Sequence, residues 1–196
     1  MPAKVELLEA IAPLDRGLRA TAADRLMVQA AVVKLEECNP TADPLAAAHL
    51  LNGNWRLLYT TSTELLNLGR LPLTSLGPIY QAIRLEQNRI YNLAEVVGPS
   101  WLSGLVAVTA RLEATSQRRV KVYFERGVFG LQSLLGYSSP DQFIHTLQTS
   151  PKLSLVQGVD FTINSQREPG WLEITYLDEN LRISRGNQGN LFVLTR

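Results

Sequence analysis

Few residues in this 196-residue chain have the types and spacing that chemistry requires. Asp178 and Glu179 are neighbouring acids, a pair able to share general acid and base work when their surroundings drive their proton affinities apart. Here they sit in an Asp178-Glu179-Asn180 spacer between two alternating segments, where water keeps carboxylates ordinary. His49 and His145 lie far apart and outside any metal-binding motif, and the single Cys38 has no partner for an internal disulfide. The sequence contains no Gly-x-Ser-x-Gly elbow, no Gly-rich phosphate cradle with Lys and Ser/Thr, and no His-Glu-x-x-His. Gly186-Asn187-Gln188-Gly189 joins two strand-like runs and reads as a hairpin turn. The expectation is a protein without catalytic residues, bound metal or cofactor.

Arg118, Arg119 and Lys121 stand beside Tyr123 and Phe124, the make-up of a strand face that stacks bases and holds phosphates. With 19 Lys and Arg against 18 Asp and Glu, however, the net charge is +1, and no general field draws the chain to nucleic acid. A solvated strand face is expected there, with no nucleic-acid partner. Apolar residues make up 45% and charged residues 19%, the balance of a folded globule rather than a disordered chain. No apolar run reaches the length of a membrane-spanning helix. The segment from Met1 to Glu9 carries two acids and has neither the apolar core of a secretion signal nor the Arg- and Ser-rich character of a transit peptide. The expectation is therefore a protein that is not secreted, either prokaryotic or already processed.

Two periodicities divide the chain. Val5, Leu8 and Ile11 recur at helical spacing; Thr21 with Asp24 three residues later forms a relaxed capping box ahead of a helix from Ala22 to Glu37. Asp43-Pro44 and Asn52-Gly53 bracket a short third helix at Leu45 to Leu51. Beyond Gly53 the period becomes two. Strands are predicted at Trp55 to Thr61, Tyr80 to Leu85, Ile90 to Val97, Leu105 to Ala114, around Val120 to Phe124, Val159 to Ile163, Leu172 to Tyr176, Leu181 to Arg185 and Leu191 to Thr195. Short polar spacers between them predict an antiparallel meander. With few downstream helices to cover it, such a sheet hides its apolar face by curling on itself. The predicted fold is mainly β with N-terminal helices: an antiparallel barrel of about eight or nine strands (residues 53–196) preceded by two or three helices packed on it (residues 1–52).

Small residues on the predicted inner faces, Ala94, Ala110 and Ala114, leave room either for a ligand or for the taper of a solidly packed barrel. The segment Glu64 to Pro78 fits neither period and is rich in leucine. It reads as a long loop over one end of the barrel, either a satellite core or an apolar lid or membrane rim, with Leu65, Leu66, Leu68 and Leu71 as its candidate residues. Ser139-Pro140-Asp141-Gln142 caps a further short helix carrying Phe143, Ile144 and Leu147, a second flap or a packed connector.

Asn52-Gly53-Asn54-Trp55-Arg56-Leu57-Leu58-Tyr59-Thr60 and the stretch from Tyr176 through Asp178-Glu179-Asn180-Leu181-Arg182-Ile183-Ser184-Arg185-Gly186-Asn187-Gln188-Gly189-Asn190 to Leu194 closely resemble the plastid lipid-associated protein family, the PAP/fibrillin family. Leu35-Glu36-Glu37-Cys38-Asn39-Pro40 is similar to that family's helical lead-in, so the resemblance covers nearly the whole chain. It implies a lipocalin-like barrel that binds or organises lipids and small hydrophobic molecules around photosynthetic membranes and lipid droplets. In the similar lipocalin opening, a Trp at the position of Trp55 closes the barrel base and a late arginine packs over it; Arg182 and Arg185 are both candidates for that clamp. The absent transit peptide favours a cyanobacterial member, cytoplasmic or peripheral to the thylakoid, over a processed plant plastid form.

Two functions follow. In the first, a quinone, carotenoid, fatty acid or isoprenoid enters the barrel mouth under the leucine-rich loop, and Tyr123, Phe124, Phe129 and Tyr176 are the candidate lining residues. In the second, the barrel is packed solid, and the loop and helices dock on a membrane surface or a protein partner.

Overall fold

The alternation beyond Gly53 is realised as nine strands: β1 (Gly53–Thr60), β2 (Ser75–Arg84), β3 (Arg89–Val97), β4 (Gly104–Ala114), β5 (Arg119–Leu131), β6 (Val159–Thr162), β7 (Gly170–Leu177), β8 (Leu181–Gly186) and β9 (Leu191–Thr195). The computed structural model describes residues 2–69, 73–99, 101–164 and 168–196. All pairings are antiparallel, and their order, β4-β3-β2-β1-β9-β8-β7-β5 with β5 returning to β4, closes the sheet in a ring. Two meandering halves thus meet where β9, the last strand, pairs with β1, the first.

One strand decides the shape of the ring's opening. β5 is 13 residues long and changes partner along its length: Arg119 to Val122 pair with β7, while Arg126 to Phe129 pair with β6. The ring is continuous at the end that holds the β2–β3, β4–β5 and β7–β8 turns. It is split at the other end, where β6 and β7 each leave β5. At Gly127 the far end of the Phe161 ring of β6 lies against the backbone, its nearest atom 2.4 Å from where a Cβ would stand, so a side chain there would have to displace that half-exposed ring.

Among the described residues six α-helices accompany the strands: α1 (Pro2–Ile11), α2 (Ala22–Glu36), α3 (Ala48–Leu51), α4 (Thr63–Leu66), α5 (Gln132–Leu135) and α6 (Pro140–Thr149). The capping box of α2 forms as its sequence predicts: the Asp24 amide donates to Thr21 Oγ1 at 3.2 Å and the Thr21 amide donates to the Asp24 carboxylate at 2.8 Å. α1 and α2 bury Leu7, Val28, Val32 and Leu35 against Tyr59, Tyr176, Ile183 and Val193 on the outside of the ring. Before α2, the chain crosses β1 so closely that the Thr60 carbonyl oxygen lies 2.3 Å from a Cβ placed on Gly17, whose φ of +108° also requires glycine. On the opposite side α6 covers the outer face of β2 to β5, packing Phe143, Ile144 and Leu147 on Leu93, Leu105 and Val128.

Helices account for 31% of the chain, so the fold class is mixed α/β rather than mainly β. The expectation that too few downstream helices exist to cover the sheet is corrected by α6. Its apolar face is only three residues wide, but it covers Tyr91, Leu93, Leu105, Ala107 and Val128 on the outer side that α1 and α2 leave bare. The outer face is buried under α1 and α2 on one side and under α6 on the other.

Arg126 locks α6 to the split side. Its Nε and Nη2 donate to the two carboxylate oxygens of Asp160 on β6, at 3.0 and 2.6 Å, and its Nη1 donates to the Leu147 and Ser150 carbonyls at the end of α6. The arginine hydrogen bonds, with a further one from the Leu153 amide, hold the Asp160 carboxyl below the usual carboxylate range against the opposing effect of burial.

Candidate functional site: the interior of the ring

Strand alternation sends one set of apolar side chains into the ring, among them Trp55, Leu57, Ile79, Ile83, Ile90, Ala94, Ala110, Val122, Leu172 and Leu194. The two alanines stand on β3 and β4, and a chamber of about 500 Å³ remains inside. Its walls include Ile90, Val108, Val122, Leu172 and Phe192, with Leu65 of α4 at the mouth and Phe124, Trp171, Asn187 and Gln188 around the rim. That volume lies within the range of pockets that enclose small organic ligands, roughly 300–1,000 Å³.

Ser62, Glu64, Asn187, Gln188 and Asn190 border the chamber toward its mouth, and a further pair of polar side chains stands on the strands of its wall. Gln81 on β2 and Asn92 on β3 are cross-strand partners and both face the chamber. Gln81 Nε2 donates to Asn92 Oδ1 at 2.9 Å, and Gln81 Oε1 accepts from Nη2 of Arg182, which reaches across the interior from β8. Arg182 is fully buried, and its Nε and Nη1 meet no acceptor among the described residues; the same holds for the buried hydroxyl of Ser184, two residues along β8. Burial, reinforced by the like charge of Arg196, pushes the Arg182 pKa down to about 9, which leaves it a cation at neutral pH.

The closed end of the ring is built around Trp55. Its indole Nε1 donates to the Leu51 carbonyl of α3 at 2.9 Å, and two guanidinium groups stand over its ring, Arg182 at 5.2 Å and Arg196 at 4.9 Å from the centroid. Between the two sequence candidates for this contact, geometry selects Arg182. Arg185 points to the outside, where its Nε and Nη2 donate to the Glu36 carboxylate of α2 at 2.9 and 2.8 Å.

The other residues singled out in the sequence are distributed as follows. Phe124 lines the chamber rim, while Tyr123, its neighbour of opposite parity, lies on the outer face under the Arg111 guanidinium at 4.2 Å. Tyr176 is buried on the outside against the N-terminal helices and donates to Asp178 at 2.7 Å. A bulge between Ile174 and Tyr176 in the β7–β8 pairing turns it out of the ring, which strict alternation with Leu172 and Ile174 does not anticipate. Phe129 stands half-exposed on β5 at the split, opposite Val159. Leu66 is buried and Leu65 and Leu68 are partly buried against the interior cluster, closing over the mouth; Leu71 lies outside the described residues. Ala94 and Ala110 are buried in the interior cluster, whereas Ala114 is exposed beyond it.

Gln81, Asn92, Ser184 and Arg196 escaped the sequence reading. A signal existed for the first two: Gln81 shares parity with Ile79 and Ile83, and Asn92 with Ile90 and Ala94, so each is a polar residue on an otherwise apolar strand face. Elsewhere the polar residues pair structurally. Asp178 accepts from Lys4 at 2.7 Å, from Tyr176 and from two backbone amides, which hold its carboxyl low although burial works the other way. Arg119 pairs with Glu173 and covers Trp171, and Arg118 Nε donates to the Ala42 carbonyl at 2.9 Å. Among the described residues no group of three metal-ligating side chains comes together, and no helix is long and apolar enough to cross a membrane.

A closed antiparallel ring around a largely apolar chamber, with Gln81 and Asn92 on its wall, defines a class of protein built around its interior. The family model described as PAP_fibrillin matches residues 1–195, and this chain belongs to the PAP/fibrillin family. It is 30% identical to a probable plastid-lipid-associated protein 2, chloroplastic, of Arabidopsis thaliana, over 98% of this chain and 70% of that one. It is 33% identical to a chromoplast-specific carotenoid-associated protein of Cucumis sativus, over 98% of this chain and 67% of the relative. A light-induced chloroplastic protein of Solanum tuberosum is 30% identical over the full chain and 68% of its own length.

Proposed function

We propose that this protein holds a small hydrophobic molecule or lipid inside the ring, without transforming it, and that the fold is a lipocalin-like barrel with residues 1–52 packed on its wall. The observation that carries this reading is the chamber of about 500 Å³ between Ile90, Val108, Val122, Leu172 and Phe192, open at the split end. Removing an apolar molecule from water into such walls is favourable by roughly 25 cal/mol per Å² of its surface, and few polar contacts are needed to orient it. Quinones, carotenoids, fatty acids and isoprenoids share that character, and the names of the plastid-lipid- and carotenoid-associated relatives support the same class. The test is titration of an apolar fluorescent polyene into wild type and Val108→Phe. Saturable one-to-one binding that the phenylalanine weakens about tenfold or more supports the reading, and absence of binding to the wild type overturns it.

A second reading, docking on a membrane surface, is favoured by the placement of exposed apolar side chains. Leu73 precedes β2, Trp101 lies between β3 and β4, Leu134 follows β5, and Leu155 and Val156 precede β6. The register puts all of these at the split end, and Trp101, Leu155 and Val156 are 65%, 88% and 79% exposed. Flotation with lipid vesicles that weakens in Trp101→Asp and Leu155→Asp supports it; equal flotation of all three proteins removes it.

A further inference from the structure

Arg182 fixes the direction of every hydrogen bond that follows it. A guanidinium only donates, so Gln81 must present its oxygen to Arg182 and its amide nitrogen to Asn92. Asn92, whose Oδ1 accepts from Gln81, has both N–H groups of its amide for the chamber, beside the second lone pair of that oxygen. The chain Arg182 to Gln81 to Asn92 is thus a run of aligned dipoles that starts on a buried cation and ends in a donor at the chamber wall, each bond polarising the next. Behind it, Arg182 Nε and Nη1 and the Ser184 hydroxyl are buried without partners, and no carboxylate of the described residues pairs with the guanidinium. A buried cation in apolar surroundings without a counter-charge is costly, and an arriving anion relieves that cost.

We infer that this polar wall is a head-group subsite, selecting from among apolar molecules those whose head carries a hydrogen-bond acceptor, and preferring an anionic one such as the carboxylate of a long-chain acid. The subsite rests on the chamber's taking an apolar molecule. It adds what the apolar walls alone do not provide: a polarity of entry, with the hydrocarbon toward the split end and the acceptor oxygens toward Gln81 and Asn92. At this wall Asn92 presents N–H donors beside a buried cation, so a head able only to donate, such as an alkyl ammonium, is disfavoured there by the charge of Arg182, although Glu64 borders the mouth of the chamber.

The experiment compares three probes at pH 8 by fluorescence titration: cis-parinaric acid, its methyl ester, and the hydrocarbon diphenylhexatriene. The acid should bind wild type at least about tenfold more tightly than the ester, the size of one charge-assisted hydrogen bond, and the hydrocarbon should bind weakest. Gln81→Glu supplies Arg182 with an internal counter-charge; it should melt no lower than wild type and lose the preference for the acid, leaving ester and hydrocarbon binding within about threefold. Asn92→Asp places an acceptor where the donor stood and should invert the preference to an amine-headed probe of the same chain. Equal binding of acid and ester to wild type, or an acid preference that survives in both variants, overturns the subsite while the chamber reading stands. If none of the three probes binds wild type, both readings fall together.

Discussion

The Arg182 guanidinium carbon lies 5.2 Å from the centre of the Trp55 indole, while Arg196 stands 4.9 Å from the same ring. One tryptophan on the first strand thereby gathers an arginine from β8 and the residue that follows β9, at the end of the ring opposite the chamber mouth. The contact does two things at once: it fills the closed end, and it keeps a cation inside the protein, next to the polar wall of the chamber.

Trp55 is wholly buried and carries the packing of that end. Trp55→Ala should cost about 3–5 kcal/mol, the usual range for an aromatic removed from a core, with Trp55→Phe retaining more than half of the loss. Urea denaturation followed by far-ultraviolet circular dichroism measures both. A Trp55→Ala protein within about 1 kcal/mol of wild type would show that the ring closes without this clamp.

Acid should loosen the split side before the rest. Asp160 has a folded-state pKa below its ordinary value, chiefly through its hydrogen bonds to Arg126, so its contribution is complete above the unfolded value near 3.8 and is lost as pH falls through the lower, folded one. Thermal melts from pH 6 to pH 2 should show a fall in midpoint below about pH 4 that is smaller in Asp160→Ala. At neutral pH that variant should itself be about 1–3 kcal/mol less stable, because the partly buried Arg126 loses its carboxylate and keeps only the Leu147 and Ser150 carbonyls. Parallel pH profiles of wild type and variant would contradict the assignment.

Gly127 tests the β6 strap by sterics instead of charge. A side chain there meets the far end of the Phe161 ring, which must turn aside or lift β6 from β5, so Gly127→Val should loosen this pairing at a cost of about 1–3 kcal/mol. Limited proteolysis should then cut within residues 150–164 many times faster than in wild type. Unchanged cleavage would mean that β6 can shift to accommodate the added methyl groups.

Much of this architecture is legible in the sequence because its causes are local. Thr21 and Asp24 announce the start of α2, and the alternation in Leu105 to Ala114 a strand whose inward Ala110 leaves space. What is not legible depends on a displacement of one residue or on long-range pairing. The bulge between Ile174 and Tyr176 reverses the parity of a strand that reads as regular, and so a residue expected inside lies under α1 and α2. A second bulge, between Thr109 and Ala110, sends Arg126 and Val128 outward on β5, whose first half carries Val120 and Val122 inward. The bond between Arg182 and Gln81 joins residues 101 apart, and no spacing rule connects them. Leucines 65, 66 and 68 show the converse. The sequence offered a satellite core or a lid, and the structure has them packed against the interior cluster at its mouth.

The outward ion pair of Arg185 with Glu36 separates wall from chamber. Glu36→Ala should weaken the attachment of α2 by about 1 kcal/mol or less, seen as faster amide hydrogen exchange in α1 and α2, with probe affinity unchanged. A fall in affinity would instead place the helices in the binding site.

Methyl-resolved nuclear magnetic resonance during titration with an apolar polyene tests the central claim most directly, because the two faces of the ring carry different methyl groups. The account predicts that Ile90, Val108, Val122 and Leu172, inside, shift and saturate together, while Leu181, Ile183 and Val193, outside, stay still. Shifts confined to Leu155, Val156 and the outer face, with the four interior residues unmoved, would contradict it.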